Sequence, residues 1–210
     1  MSSRGAFAGK INRALRRVPA APIYILCAAH IGWLFWQGVN GALGPEPIKA
    51  LEHAYGETAL KLLVGVLAIT PLLKLTRINL IRYRRALGLS AFFYVVAHLA
   101  VWLFLDVQVM AQIWADIVKR PYITVGMAGF ALLVPLAVTS NDWMIRRMGG
   151  QGWRLLHRLT YPAAILAAVH FVMLRKGWQI EPLVDLGLIV LLLVLRLRRG
   201  RRRAPARVAG

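Results

Sequence analysis

The chain has 210 residues, 59% of them hydrophobic, with a mean hydropathy of +0.58, which is too apolar for a soluble domain of this length. Its formal net charge of +19 does not mark a nucleic-acid binder, because most of the basic residues fall in alternate loops between apolar runs. The single cysteine, Cys27, lies inside the first run, which excludes an intramolecular disulfide, a Cys-ligated iron–sulfur cluster and a CxxCH haem attachment.

A bilayer core of about 30 Å is crossed by roughly 20 apolar residues. Six segments meet that length, at about 20–39, 57–75, 86–106, 121–139, 155–174 and 182–197. The fold class expected is therefore an all-α integral membrane protein, a six-transmembrane-helix bundle. A basic N-terminus, residues 1–19, precedes the bundle (20–197), and an Arg-rich tail, 198–210, follows it. The first run lacks a small-residue cleavage site and reads as a retained span, not a signal peptide. Between the first two spans "VNGALGPEPIKALEHAYG" predicts a turn followed by a short helix. The loops "TRINLIRYRRALG" and "SNDWMIRRMGGQGW" are short and basic. Twenty-one of the 27 Lys and Arg residues fall before span 1, between spans 2 and 3, between spans 4 and 5, and after span 6. Seven of the eight acids fall on the other side. The positive-inside rule then places both termini in the cytoplasm, with the basic tail against lipid headgroups. Neither a GxGxxG nor a P-loop signature occurs, so any chemistry uses groups or a cofactor within the membrane.

Ionisable residues inside spans are costly and mark sites by default. Of the five histidines, His53 reads as a solvated residue of the exterior loop. His30, near Trp33 and Trp36 in span 1, reads as a packing or interfacial residue. His98 lies about twelve residues into span 3 and His170 deep in span 5. The two therefore share a depth on two helices, which suits ligands to one metal from opposite sides. Ala97, Ala100, Ala163, Ala164, Ala167 and Ala168 surround them. Small side chains there allow either close helix packing or room for a flat macrocycle. His157 lies near the cytoplasmic mouth of span 5, thirteen positions before His170 and roughly 20 Å away along a helix. That distance fits two stacked sites, not one. On an ideal helix thirteen residues also put the two rings on different faces, and Pro162 is expected to bend the segment into register. Fourteen positions before His98, where a fourth histidine would complete the set, stands Arg84. An arginine stays protonated and is a poor metal ligand. Its alternatives are topogenic anchoring or pairing with a haem propionate.

Histidines thirteen or fourteen apart on two outward-running helices resemble the ferric reductase-like transmembrane superfamily, which includes NADPH oxidases. Within it the chain is similar to the MsrQ (YedZ) family, haem-binding membrane subunits of bacterial protein-methionine-sulfoxide reductase systems. The stretches that carry this are "LGPEPIKALEHAYGETALKLL", "ITPL", "RRALGL", "AHL", "KRPYITVG" and "WRLLHRLTYPAAILAAVHF". The resemblance implies one or two b-type haems on His98, His157 and His170, with Arg84 where the wider superfamily has a fourth histidine. It also implies FMN, at a site the sequence does not locate, and a multi-pass place in the bacterial inner membrane. The implied electron donor is a cytosolic flavin reductase or the quinone pool. The implied acceptor is a periplasmic MsrP-like molybdopterin reductase that repairs oxidised methionine. The chain would then be an electron-transfer subunit, not the catalytic one. Two other readings stay open: a quinol-linked cytochrome b subunit of another dehydrogenase, and a small transporter or assembly factor without haem.

Overall fold

Residues 3–175 and 179–201 are described in the computed structural model of the chain, and all their regular structure is helical. The helices are α1 (Ser3–Arg17), α2 (Ala21–Val39), α3 (Pro47–Thr76), α4 (Arg84–Val101), α5 (Met110–Lys119), α6 (Pro121–Val138), α7 (Asp142–Leu156), α8 (Thr160–Leu174) and α9 (Ile180–Arg201). Proline opens three of them, α2, α3 and α6, where its missing N–H costs nothing and its fixed φ suits a first turn. Asn141 caps α7, accepting from the Met144 amide at 2.9 Å.

Five helical segments among the described residues are long and apolar enough to cross a membrane: α2, α3, Ile81–Val107, α6 and Asp142–Leu174. The expected sixth span falls within α9, which has 22 residues and carries Glu181, Asp185 and Arg196 along its length. Residues 202–210 of the expected Arg-rich tail lie outside the described residues.

Helix α3 is the axis of the molecule. Leu51, Tyr55, Leu60, Leu63 and Leu67 are all buried along it, and it packs against α2, α4, α8 and α9. Helices α6 and α8 form a second closely packed pair, with α4 touching α6. Helix α2 is peripheral. It buries only Leu34 and leaves Ile25, Leu26, Trp33 and Trp36 exposed, as a lipid-facing helix does.

Several expectations are corrected by this architecture. The expected turn between spans 1 and 2 forms at residues 40–43, but the separate short helix after it does not. Helix α3 runs unbroken for 30 residues from Pro47, so His53 belongs to it and not to a loop. The loop "SNDWMIRRMGGQGW" is instead mostly the helix α7, kinked where Gly149 adopts φ 69°, a conformation a Cβ would strain. A short amphipathic helix, α5, intervenes between the third and fourth expected spans, with Ile113 and Asp116 turned inward. The basic N-terminus forms α1, which docks on the 77–83 loop. Asn12 Nδ2 donates to the Arg77 carbonyl at 2.9 Å, and Tyr83 OH donates to the carbonyls of Leu15 and Val18 at 2.8 and 2.9 Å.

Pro71 lies inside α3 and cannot donate to the carbonyl one turn back, that of Leu67. Arg196 of α9 does so instead, with Nη2 2.7 Å from that oxygen. A broken backbone bond on one helix is thus repaired by a side chain from another.

Candidate functional site

Helix α4 carries His98 and α8 carries His170. The rings face one another across the bundle, with centroids 6.2 Å apart and planes at 82°. Each is held by the helix beside it. His98 Nδ1 lies 2.9 Å from the Glu52 carbonyl on α3, and His170 Nδ1 lies 2.7 Å from the Tyr122 carbonyl on α6. A carbonyl oxygen only accepts, so both Nδ1 atoms carry the proton and both Nε2 atoms keep a lone pair.

One rule builds both halves. Four residues beyond each accepting carbonyl stands a glycine, Gly56 on α3 and Gly126 on α6. A Cβ added at Gly56 would meet His98 Nδ1 at 3.2 Å, and one at Gly126 would meet His170 Nδ1 at 2.8 Å. The glycines let each imidazole lie flat on a neighbouring helix and reach its backbone. Beyond His98 the helix also changes pitch, into a π segment, Trp102–Val107, whose Trp102 amide is shared between the His98 and Leu99 carbonyls. Insertions of this kind recur at functional sites.

Both histidines line a cavity of about 250 Å³. Its wall is mainly apolar and includes Leu63, Val95, Phe130, Leu133 and Ala167, while Lys49, His53, Asp106 and Arg120 also border it. Arg120 lies outside the spans. Its contact with the Tyr122 hydroxyl and the Asp116 carboxylate pushes its pKa up, so it stays cationic. Chemically, two neutral imidazoles on opposite walls could both ligate one metal, since their centroid spacing is close to two metal–nitrogen bonds of about 2 Å plus about 1.1 Å from each nitrogen to its ring centre. Among the described residues no group of three or more His, Cys, Asp or Glu gathers around a metal position. A metal held by this pair therefore needs its other ligands from a non-protein source.

His157 is elsewhere and differently engaged. It opens a 3₁₀ segment, His157–Leu159, between α7 and α8. Its ring stacks on Trp153 with centroids 3.8 Å apart, and its Nε2 lies 3.2 Å from Thr139 Oγ1. That hydroxyl donates to the Pro135 carbonyl at 2.6 Å, so Nε2 carries the proton and its lone pair is not free. Arg84 lies within charge range of His157, Tyr161 and Arg196. Neither His157 nor Arg84 lines the cavity. The structure therefore joins His98 to His170 and does not bring His157 and Arg84 to the same site. Pro162 sits in the first turn of α8, directly after the 3₁₀ segment. His30 packs as expected, with Nδ1 2.7 Å from the Tyr94 hydroxyl. His53, expected at a solvated surface, is half-buried at the cavity edge.

Residues 53–168 match the family described as ferric reductase like transmembrane component. Relatives from Brucella ovis, Brucella canis and Brucella suis are each named protein-methionine-sulfoxide reductase heme-binding subunit MsrQ. Each is 47% identical over 177 residues, covering 83% of this chain and 80% of the relative. The chain belongs to the MsrQ family of ferric reductase-like transmembrane proteins. The family match contains His98 and His157, together with the Gly56 and Gly126 contacts that sequence reasoning missed. His170 lies two residues past its end. Glu52 and Tyr122 act here through main-chain oxygens, which leave no mark in a sequence. The two glycines are the only trace of that arrangement.

Proposed function

We propose that this MsrQ-family chain is the membrane electron-transfer subunit of a protein-methionine-sulfoxide reductase system and holds one b-type haem between His98 and His170. The observation that carries this reading is the imidazole pair, oriented by opposed backbone carbonyls at the spacing of two axial ligands. The residues fit the group in three respects. They offer two neutral Nε2 lone pairs, an apolar cavity between helix pairs, and glycines that keep the walls thin. Lys49 and Arg120 line the same cavity and offer cationic heads to propionate carboxylates. Haem held by His98 and His170 would supply a one-electron carrier. The chain does the rest. The Glu52 and Tyr122 carbonyls hold the tautomer and ring orientation, and the apolar wall excludes water. No proton-transfer catalyst or nucleophile is called for, consistent with a subunit that relays electrons while a partner performs the reduction.

In this reading α9 is the sixth span, residues 20–197 form the membrane domain, and both termini face the cytoplasm of a bacterial inner membrane. Contacts between the basic segments, Asn12 with Arg77 and Arg85 with Asp142, support that topology. Electrons come from a cytosolic flavin reductase or a quinol and pass to a periplasmic molybdopterin reductase acting on oxidised protein methionine. The test is the haem spectrum and stoichiometry of the purified protein, expressed with ample haem. One b-type haem per chain is expected, with loss in His98→Ala and in His170→Ala. Absence of a b-type spectrum in the parent protein, or its persistence in both variants, refutes the assignment.

A further inference from the structure

Arg196 sits in a web of hydrogen bonds whose partners are all neutral. Its Nη2 donates to the Leu67 carbonyl at 2.7 Å, the Thr70 hydroxyl at 3.2 Å and the Val66 carbonyl at 3.3 Å. Its Nη1 donates to the Tyr161 hydroxyl at 3.2 Å, and the guanidinium lies over the Tyr161 ring, 5.5 Å from its centroid. Its Nε is buried without a partner. Arg84 stands near enough to add its charge. The protein has eight acidic residues, all of them described. None pairs with Arg196, Arg84 or Lys74 among the ion pairs of the described residues. Among the described residues Arg196 thus has no carboxylate partner and Arg84 lies within its charge range, an arrangement that is costly unless an anion completes it.

The surroundings indicate which anion. A small cavity of about 30 Å³ lies beside Arg196, lined by Pro71, Lys74, Leu75 and Leu195. It sits where the last turn of α3 meets α9, at the end of the bundle that carries the basic loops. Leu75 is 69% exposed and Leu195 39%, and Leu191 one turn back on α9 is 54% exposed. Beside the cavity, then, Leu75 at the end of α3 and Leu191 and Leu195 on α9 leave an open apolar seam where the two helices meet. At its foot stand an exposed ammonium and a fixed guanidinium. A ligand that matches both features has an acyl body and a compact oxyanion head. We propose that Lys74 and Arg196 form a specific site for the phosphate of an anionic phospholipid, with its acyl chain in the α3–α9 seam. Basic pockets between membrane helices on the cytoplasmic face bind such headgroups by this logic. The bound phosphate supplies the charge that Arg84 and Arg196 lack.

The test uses the full-length protein, purified with lipid and examined by native mass spectrometry against phosphatidylglycerol and phosphatidylcholine of identical chains. At least fivefold greater retention of phosphatidylglycerol is expected for the parent protein. Lys74→Gln, which touches nothing structural, should reduce that preference severalfold, and Arg196→Gln should abolish it. Arg196→Gln also removes the repair of the Leu67 carbonyl, so Lys74→Gln keeps the proposal testable if that variant unfolds. Equal retention of the two lipids, or an unchanged preference in Lys74→Gln, overturns the proposal. Displacement of the lipid by millimolar inorganic phosphate also overturns it, because the site would then take free phosphate and not lipid.

Discussion

Replacing Gly126 by alanine places a methyl carbon 2.8 Å from His170 Nδ1 and 3.0 Å from Cε1. Comfortable contact for such atoms is about 3.5–4.0 Å, so the ring must withdraw by roughly 0.5–1 Å. It cannot do so and keep its 2.7 Å bond to the Tyr122 carbonyl at full strength, since N–H···O bonds weaken beyond their usual range of about 2.7–3.2 Å. Loss of an orienting partner of a metal-bound histidine costs roughly 10–100-fold in metal affinity or activity, and that is the expected loss of haem affinity. Gly56→Ala is the internal control. Its methyl lies 3.2 Å from His98 Nδ1, so a shift of a few tenths of an ångström relieves it, and the 2.9 Å bond to Glu52 survives in stretched form. The two variants should therefore rank clearly, with Gly126→Ala much the worse. Helix propensity argues in the opposite direction, because Gly→Ala inside a helix stabilises by roughly 0.5–1 kcal/mol. Reduced haem binding in a protein that melts no earlier cannot then be ascribed to a weakened helix. The assay is haem content per chain with the reduced-minus-oxidised spectrum, alongside thermal unfolding without haem. Parent-like haem content in Gly126→Ala would refute the claim that the glycine makes room for the ring.

The 82° angle between the His98 and His170 planes predicts a strongly anisotropic low-spin signal in electron paramagnetic resonance of the oxidised protein. A rhombic spectrum typical of parallel imidazoles would contradict the geometry. His157→Ala should leave the haem stoichiometry of the His98–His170 pair intact. It should lower stability by about 1–3 kcal/mol, through loss of the Trp153 stack and the Thr139 hydrogen bond. Loss of half the haem instead would reveal a second site at His157. Because Arg196 answers the carbonyl orphaned by Pro71, Arg196→Gln should cost about 1 kcal/mol less in a Pro71→Ala background, where an amide is restored. Additive melting shifts in that double-mutant cycle would remove the repair role.

What the sequence discloses and what it hides have physical causes. Apolar runs locate spans because lipid imposes one requirement on a whole segment, and α2, α3, α6 and α8 each overlap an expected run. His98 and His170 are legible for the same reason, since depth in a helix is a count of residues. The separation of His157 from that pair is legible in the same way, but its partners are not: the Trp153 stack and the Thr139 contact leave no signal in a residue count. Spacing alone sets Arg84 opposite His157, and the structure gives it further neighbours in Tyr161 and Arg196. The stretch "MGGQGW" reads as a loop because three glycines crowd into it. Gly149 nevertheless uses a conformation that bends a helix pair without ending it, so the chain stays helical on both sides. The first part of α3 reads as a separate short helix, since Glu52 precedes the apolar run that begins near Glu57. In the structure both lie beside the cavity, which gives their polar ends somewhere to go.

The two halves of the site are independent in construction. His98 is oriented by α3, its closest packing partner, and His170 by α6, which is packed on α8. Each imidazole thus has its tautomer and ring plane set inside a helix pair, before anything is placed between the pairs. Closing α3/α4 on α6/α8 then fixes only the distance between two rings already aimed. For electron transfer this order has a consequence. Were His98 and His170 to hold the haem proposed above, imidazoles clamped by backbone hydrogen bonds would shift little on its reduction, so the protein would reorganise little. Removing one carbonyl contact should for that reason slow electron transfer as well as weaken binding. Gly126→Ala, which breaks the tighter clamp, is where the two effects should appear together.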